Sequence, residues 1–202
     1  ANKLLDWKMD QTTIISALLH DVVEDTDVTL KDIEKEFGSE VAMLVDGVTK
    51  VENIAFRSIE HKQAENFTKL FLSLANDLRV IIIKFADRLN NMETIQFLSS
   101  KKRKEIALET KEIFVPLAHR LGMAKVKWEL EDLSLKCLDL RSYNSIKKKI
   151  ETSTKLNEDI LSNAIAPIKS ELDSYKIKSH IFGRYKSISS IHRKINNRAK
   201  KF

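Results

Sequence analysis

Ala17-Leu-Leu-His-Asp-Val-Val-Glu-Asp-Thr26 places a histidine and three carboxylates at the end of an apolar segment. The apolar spacing before it predicts a helix, and residues four apart on a helix share a face, so His20 would align with Glu24 and Asp21 with Asp25. So much negative charge against an apolar face is costly, which makes a divalent cation a natural partner. Imidazole with carboxylate oxygens suits Mn, Fe, Zn or Mg. The alternative is a helix end with a solvated acidic turn.

Another acidic residue, Asp87, follows an apolar segment further along the chain. Leu78-Arg-Val-Ile-Ile-Ile-Lys-Phe-Ala86 is almost wholly apolar, which predicts a helix buried on nearly every side. Asp87 comes at its end, where an unpaired carboxylate is disfavoured. Arg88 could neutralise it as an ion pair, or Asp87 could meet the histidine–aspartate pair across two packed helices. Asn91 lies one turn beyond, and its amide suits a ribose hydroxyl or a phosphate oxygen.

These two segments resemble the HD superfamily of metal-dependent phosphohydrolases. Further blocks, in the same order along the chain, narrow the resemblance to the bifunctional Rel/Spo alarmone enzymes. The blocks are Asp46-Gly-Val-Thr-Lys50, Gln63-Ala-Glu-Asn-Phe67, Lys84-Phe-Ala-Asp-Arg-Leu-Asn-Asn-Met92, Pro116-Leu-Ala-His-Arg-Leu-Gly122 with Lys127-Trp-Glu-Leu-Glu-Asp132, and Gly183-Arg-Tyr-Lys-Ser-Ile-Ser-Ser-Ile-His-Arg-Lys194. The resemblance therefore covers nearly the whole chain.

The expected fold is all-α: an orthogonal helical assembly of the HD type, then a helical connection, then the first strand and helix of an α/β synthetase domain. We expect a hydrolase domain over 1–138, a connecting segment over 139–176 and the start of the synthetase domain over 177–202. The apolar spacing predicts the finer elements. They are a helix ending at the histidine–aspartate pair, helices at 30–37 and from Ser39, a polar loop at 49–60, helices near 61–76, 78–97, 101–118 and 125–138, and a strand at 175–182.

The resemblance implies removal of the 3′-pyrophosphate from guanosine 3′,5′-bispyrophosphate or its pentaphosphate, with Mn²⁺ as the metal. A divalent ion lowers the pKa of a bound water and polarises phosphate oxygens. It also implies a role for each matching residue. The metal ligands would be His20, Asp21 and Asp87, the catalytic pair Glu24 and Asp25, the substrate contact Asn91, and the synthetase's ATP-binding positions Arg184, Lys186, Ser190 and Lys194.

Three features depart from the family pattern. The family's fourth ligand, a histidine in a His-Pro motif, would precede Ala1, and the synthetase's acidic catalytic residues would follow Phe202. Asn90 and Glu93 stand where the family often carries His and Arg, and the charge of Glu93 puts substrate affinity in question. His119 is expected to pack or cap at a helix end.

Composition limits the alternatives. Nine Lys or Arg and no acidic residue follow Asp173, so the first 173 residues have a net charge of −3 against +6 for the chain. One cysteine, Cys137, fits a reducing cytosol and is expected to be a buried, inert thiol. No apolar run reaches the length of a membrane span, and we expect a cytoplasmic protein.

The expected partners are guanine nucleotides, ATP in the full-length protein, and the ribosome through regions outside this chain.

Three other interpretations of the function stay open. The chain could be a regulatory module without hydrolase activity, an HD enzyme for another nucleotide, or a nucleic-acid binder through residues 176–201, although that last stretch lacks interleaved aromatic residues.

Overall fold

The computed structural model describes residues 1–55, 77–152, 154–183 and 186–199, and the fold is all-α. The helices are numbered here in chain order. They are α1 Asn2–Asp6, α2 Gln11–Leu19, α3 Val22–Asp25, α4 Leu30–Phe37, α5 Ser39–Ala55, α6 Arg79–Glu93, α7 Ser100–Glu109, α8 Val115–Arg120, α9 Ala124–Leu138, α10 Leu140–Thr152, α11 Thr154–Ser174 and α12 Ile188–Ala199. A 3₁₀ turn at Ile95–Phe97 follows α6, and a π-helical turn at Thr110–Phe114 precedes α8.

The chain divides into two compact units, Ala1–Leu98 and Ser99–Phe202. In the first, α5 packs against α2, α4 and α6, and α6 also contacts α1 and α2. The buried face of α5 meets Ile33 of α4, with Ile15 and Leu19 of α2 packed against the same cluster. Most of α6 is buried, including Phe85 and Leu89. The predicted burial of this segment is confirmed, and α2 and α6 lie against each other as expected.

In the second unit α9 is the central element and contacts α7, α8, α10 and α12. Its core contains Phe114, Leu117 and Leu130. The segment predicted as one helix over 101–118 is helical but widens into the π-helical turn just before Pro116. Proline has no N–H to donate in a regular helix, and just before it the Val115 N–H bonds the Thr110 carbonyl across the widened turn.

Three expectations about elements are wrong. Residues 49–55 continue α5 rather than forming a loop. The loop was predicted because the apolar side chains of this stretch are too sparse to show a helical spacing. No strand occurs among the described ranges, and residues 177–183 are neither helix nor strand. A strand requires a hydrogen-bonded neighbour, and the described part of the chain offers none. The third is the predicted alignment of His20 with Glu24, which is described with the site, whereas the helix itself ends at the histidine–aspartate pair as predicted. The helix predicted at 61–76 lies outside the described residues.

Gly47 lies where α5 crosses α6. A Cβ atom at this position would be 2.7 Å from Cγ2 of Val80, which is itself buried. We expect Gly47→Ala to lower the free energy of unfolding by about 1–2 kcal/mol, because the overpacking exceeds the gain in helix propensity. Urea denaturation measures the change. In a Val80→Ala background the same substitution should be neutral or stabilising, and an equal loss in both backgrounds would contradict the steric explanation.

Asp10 caps the helix that leads to the site. Its Oδ1 accepts from the Thr13 backbone N–H at 2.9 Å, and its Oδ2 accepts from the Thr13 hydroxyl at 2.7 Å. These bonds, the hydroxyl bond first, lower the pKa of Asp10 below its ordinary value of 3.8. The cap therefore stabilises fully above that ordinary value and is lost as the pH falls through the lowered pKa.

We expect Asp10→Ala to cost about 1 kcal/mol of stability at neutral pH. The difference from the unmodified chain should shrink in strong acid, as followed by urea denaturation at several pH values. Asp10→Asn retains an acceptor for the Thr13 N–H without a titrating group, so it serves as the matched control. A difference that stays constant down to the lowest pH would refute a contribution from the ionised cap.

Candidate functional site

His20 and Asp21 occupy a break between two helices, not one continuous helix. Helix α2 ends at Leu19, Asp21 has φ −96° and ψ −7°, and α3 starts at Val22. The Asp21 carbonyl accepts the backbone N–H groups of Glu24 and Asp25 at 3.1 and 2.9 Å. The predicted alignment of His20 with Glu24 on a single helix is therefore wrong. A break of this kind needs no glycine or proline, so no residue of the segment marks the start of a second helix.

The imidazole of His20 is fixed by the end of α2. Its Nδ1 lies 3.0 Å from the Ala17 carbonyl, one of the helix-end carbonyls that have no intrahelical partner. An Nδ1–H bond to this carbonyl leaves Nε2 directed to the other side of the ring. Nε2 is buried and makes no hydrogen bond. A buried polar atom without a well-formed hydrogen bond is costly, which makes Nε2 a candidate position for an outside ligand.

Two carboxylates flank Nε2. It lies 3.1 Å from Oδ1 of Asp21 and 3.6 Å from Oδ1 of Asp87, which projects from α6. The structure thus brings together the three side chains that the sequence proposed as ligands, from both packed helices. Donors that bind one small ion at about 2.1 Å and at right angles lie roughly 3 Å apart, so both separations are of the right size.

The three side chains do not already form a finished metal site. Across the ranges that the structure describes, no three His, Cys, Asp or Glu side chains converge as ligands of one ion. The donor types and the position of Nε2 between two carboxylates fit a divalent cation, while the final ligand geometry requires side-chain adjustment. Asp21 is the side chain with room to adjust, since it is 54% exposed, against 16% for His20.

The charges of this cluster shift two pKa values in opposite directions. The Asp87 carboxylate raises the pKa of His20, burial of the ring opposes the rise, and the charge of Asp21 adds to it. Burial alone would raise the pKa of Asp87, but His20 and Lys84 outweigh it and hold that pKa below its usual range. Without an ion, the cluster therefore favours a charged imidazole beside an ionised Asp87.

A cavity of about 410 Å³ opens beside these residues. Its lining includes His20, Asp87, Asn90, Glu93 and Lys3. This volume is within the range of small-molecule sites in proteins. The two residues that depart from the family pattern therefore lie on the cavity wall, where they would meet a ligand.

Glu93 is not an isolated charge on that wall. Its Oε1 lies 2.7 Å from Nζ of Lys3, and the two side chains are 47% and 26% exposed. No sequence pattern connects α1 with the end of α6 in this way. The pair reduces the negative charge that Glu93 brings to the cavity, and it places a lysine beside any anionic ligand.

The remaining predicted site residues lie around this centre. Glu24 and Asp25 are exposed on α3 and are not part of the cavity lining. Asn91 is exposed, and its side-chain amide donates to Oδ1 of Asp87 at 3.0 Å. Asn91 thus supports a proposed ligand in this structure. Lys84, which the sequence reading assigned no role, approaches the other oxygen of Asp87 at 3.4 Å.

In the second unit, the described ATP-binding candidates lie on or just before α12. Lys186 and Lys194 are exposed and Ser190 is partly buried, whereas Arg184 lies outside the described residues. The start of α12 is capped from α9, because the Asp132 carboxylate accepts the backbone N–H groups of Ile188 and Ser189 at 3.1 and 2.7 Å.

Two further expectations concern single residues of this unit. His119 is exposed in the last turn of α8, and its carbonyl accepts the Gly122 N–H at 3.1 Å. Cys137 is partly buried, and burial raises the pKa of its thiol, which fits the expected inert side chain. In the part of the chain that the structure describes, no helix combines the length and the apolar character needed to cross a membrane.

Comparison with known proteins agrees with the motifs. A guanosine-3′,5′-bis(diphosphate) 3′-pyrophosphohydrolase of Spiroplasma citri is 44% identical over 98% of this chain and 27% of its own length. A probable GTP pyrophosphokinase of Mycobacterium leprae is 45% identical over 96% of this chain and 24% of its own. The bifunctional (p)ppGpp synthase/hydrolase SpoT of Escherichia coli is 40% identical over 98% and 28%.

The chain spans between a quarter and a third of the length of most of these curated relatives. The profile of the HD domain matches residues 1–124, which include every residue of the cluster around His20. With the all-α fold and the histidine–aspartate pair beside Asp87, the match shows that this chain belongs to the HD domain family.

Proposed function

We propose that this chain is the hydrolase part of an enzyme that removes the 3′-pyrophosphate of guanosine 3′,5′-bispyrophosphate or its pentaphosphate, with Mn²⁺ as cofactor. The observation that carries the proposal is the buried Nε2 of His20, which lies between the carboxylates of Asp21 and Asp87 without a well-formed hydrogen bond to either. It lies beside a cavity, in a chain that is 40–45% identical to proteins named for this reaction.

His20, Asp21 and Asp87 would hold the ion, and Asn91 would keep Asp87 oriented through its amide. When bound, Mn²⁺ supplies a water of lowered pKa and polarises the phosphate oxygens. Glu24 and Asp25 follow directly after the ligand pair on α3, and their carboxylates would accept the proton of the attacking water or assist the leaving group. Lys3 and Asn90 would contact the substrate from the cavity wall.

The longer protein of which this chain represents the hydrolase part would also synthesise the same nucleotide from ATP and GDP or GTP. Support comes from the relatives named as pyrophosphokinase and as synthase/hydrolase. Lys186, Ser190 and Lys194, together with Arg184, are the positions proposed for ATP. A cytoplasmic location fits the nucleotide substrates and the single cysteine.

The test is release of pyrophosphate from the guanosine tetraphosphate by a form of the chain extended upstream to cover the family's His-Pro motif. We expect turnover with Mn²⁺ and none after chelation. A deoxynucleoside triphosphate is the matched substrate control. Preferential cleavage of that control would favour an HD enzyme for another nucleotide, and Mn²⁺ binding without any cleavage would favour a regulatory module.

A further inference from the structure

Lys84 is a charged residue in the core of the first unit. Its side chain is 4% exposed, in a segment of α6 whose neighbours Ile83 and Phe85 are buried hydrophobic residues. A buried ammonium is costly unless it is paired, and α6 offers it Asp87 one turn later. The Lys84 Nζ lies 3.4 Å from Oδ2 of Asp87. In the sequence, this buried charge is visible as a single lysine inside an apolar segment.

The two oxygens of Asp87 have different neighbours. Oδ2 approaches Lys84, whereas Oδ1 accepts from the Asn91 amide at 3.0 Å and lies 3.6 Å from Nε2 of His20. The Asp87 side chain is 18% exposed, so it has little room to rotate. The carboxylate is therefore oriented with one oxygen toward the proposed metal centre and the other toward the interior of the protein.

We propose that Lys84 is a positioning residue that makes Asp87 a ligand through one oxygen only, and that this orientation selects small six-coordinate ions over Ca²⁺. The inference rests on the metal centre proposed above. Mg²⁺ and Mn²⁺ take near-octahedral sets of single oxygens, whereas Ca²⁺ takes six to eight oxygens and commonly both from one carboxylate. Holding Oδ2 away from the centre removes one of the oxygens that Ca²⁺ would use.

The charge of Lys84 affects both divalent ions, so the selectivity rests on the orientation of Asp87. Asp21 and Asp87 together bring two negative charges to His20, and the ammonium cancels one of them at close range. Removing that ammonium while keeping the volume of the side chain would free Oδ2 and make the centre more negative. The added negative charge would raise the affinity for Ca²⁺ and Mn²⁺ alike, whereas only Ca²⁺ would gain from the second oxygen and only Mn²⁺ would lose the fixed orientation of its ligand.

The experiment is calorimetric titration of Mn²⁺ and Ca²⁺ into the metal-free, upstream-extended chain, which serves as the wild type, and into its Lys84→Met variant. We expect the ratio of the Ca²⁺ to the Mn²⁺ dissociation constant to fall at least about tenfold in the variant, a size typical of residues that orient metal ligands. Lys31→Met, at an exposed lysine of α4, is the matched control and should leave the ratio unchanged.

Different outcomes separate this inference from the metal centre itself. Wild-type chain that binds Mn²⁺, with an unchanged ratio in Lys84→Met, would overturn the role of Lys84 and leave the centre in place. Wild-type chain that binds neither ion would overturn the centre, and the inference with it. A purely structural role of Lys84 predicts a change in stability without a change in the ratio.

A measurement without metal keeps the inference testable if Lys84→Met folds poorly. Without the ammonium, the buried carboxylate of Asp87 has lost a compensating charge, so adding Asp87→Asn should raise the urea midpoint of the Lys84→Met chain. Asp87→Asn in the unmodified background should lower it. A double variant no more stable than Lys84→Met alone would show that the ammonium does not hold this carboxylate, which would overturn the proposal.

Discussion

Replacement of Asp87 by alanine is expected to abolish Mn²⁺-dependent pyrophosphate release in the upstream-extended chain. The loss should be at least about 1,000-fold, which corresponds to roughly 4 kcal/mol of transition-state stabilisation. Asp87 is 18% exposed and fixed by contacts with Lys84 and Asn91, so no solvent-exposed side chain can easily take its place. Steady-state assays measure the loss of turnover, and a Mn²⁺ titration of the same protein measures the loss of metal binding.

The Asp87→Ala experiment needs a control for stability, because the substitution also removes the carboxylate beside the Lys84 ammonium. Circular dichroism at the assay temperature would show that the variant is folded. Glu36→Ala, at an exposed acid of α4 in the same unit, removes an equal charge away from the cavity and should keep full turnover. Full Mn²⁺-dependent activity of Asp87→Ala would refute its assignment as a ligand.

Glu24→Gln and Asp25→Asn are expected to separate turnover from metal binding. Both acids are exposed on α3, immediately after the proposed ligand pair, and neither lines the cavity with His20. If they handle protons, each variant should lose about 100- to 10,000-fold in turnover, the usual range for a general acid or base. The Mn²⁺ dissociation constant should change by less than about threefold, since the amide side chains keep the shape and remove only the charge.

One outcome of these two measurements would contradict the proton-handling role of Glu24 and Asp25. Loss of Mn²⁺ binding in either variant would move that carboxylate into the ligand shell. Glu34→Gln, at another exposed acid of the same unit, is a suitable control for the general effect of one lost charge on metal affinity.

The parts of the site that depend on residue type and burial could be predicted from the sequence. The long apolar run placed α6 in the core, and an acid at its end pointed to a partner on α2. Side-chain positions that depend on the backbone between elements could not be predicted. The apolar spacing predicted that α2 ends at the pair, but no glycine or proline marks the break at Asp21, so the alignment of His20 with Glu24 was wrongly predicted.

The Lys3–Glu93 pair illustrates a different limit. The two residues are 90 positions apart, and each is a common surface residue, so no local pattern links them. Their contact arises from the packing of α1 against the end of α6. The strand expected at 175–182 was wrongly predicted for a related reason. Alternation of apolar and polar residues suits a strand, but it does not show whether another strand lies beside it to pair with.

The cap that Asp132 provides for α12 has a consequence for dissecting the protein. The first turn of α12 takes its hydrogen-bond acceptor from a residue 56 positions earlier, instead of from its own preceding segment. A fragment cloned to begin after α9 would therefore release two amide groups at the helix start into solvent. Expression boundaries for work on the basic carboxy-terminal region should keep α9 and α12 on one polypeptide.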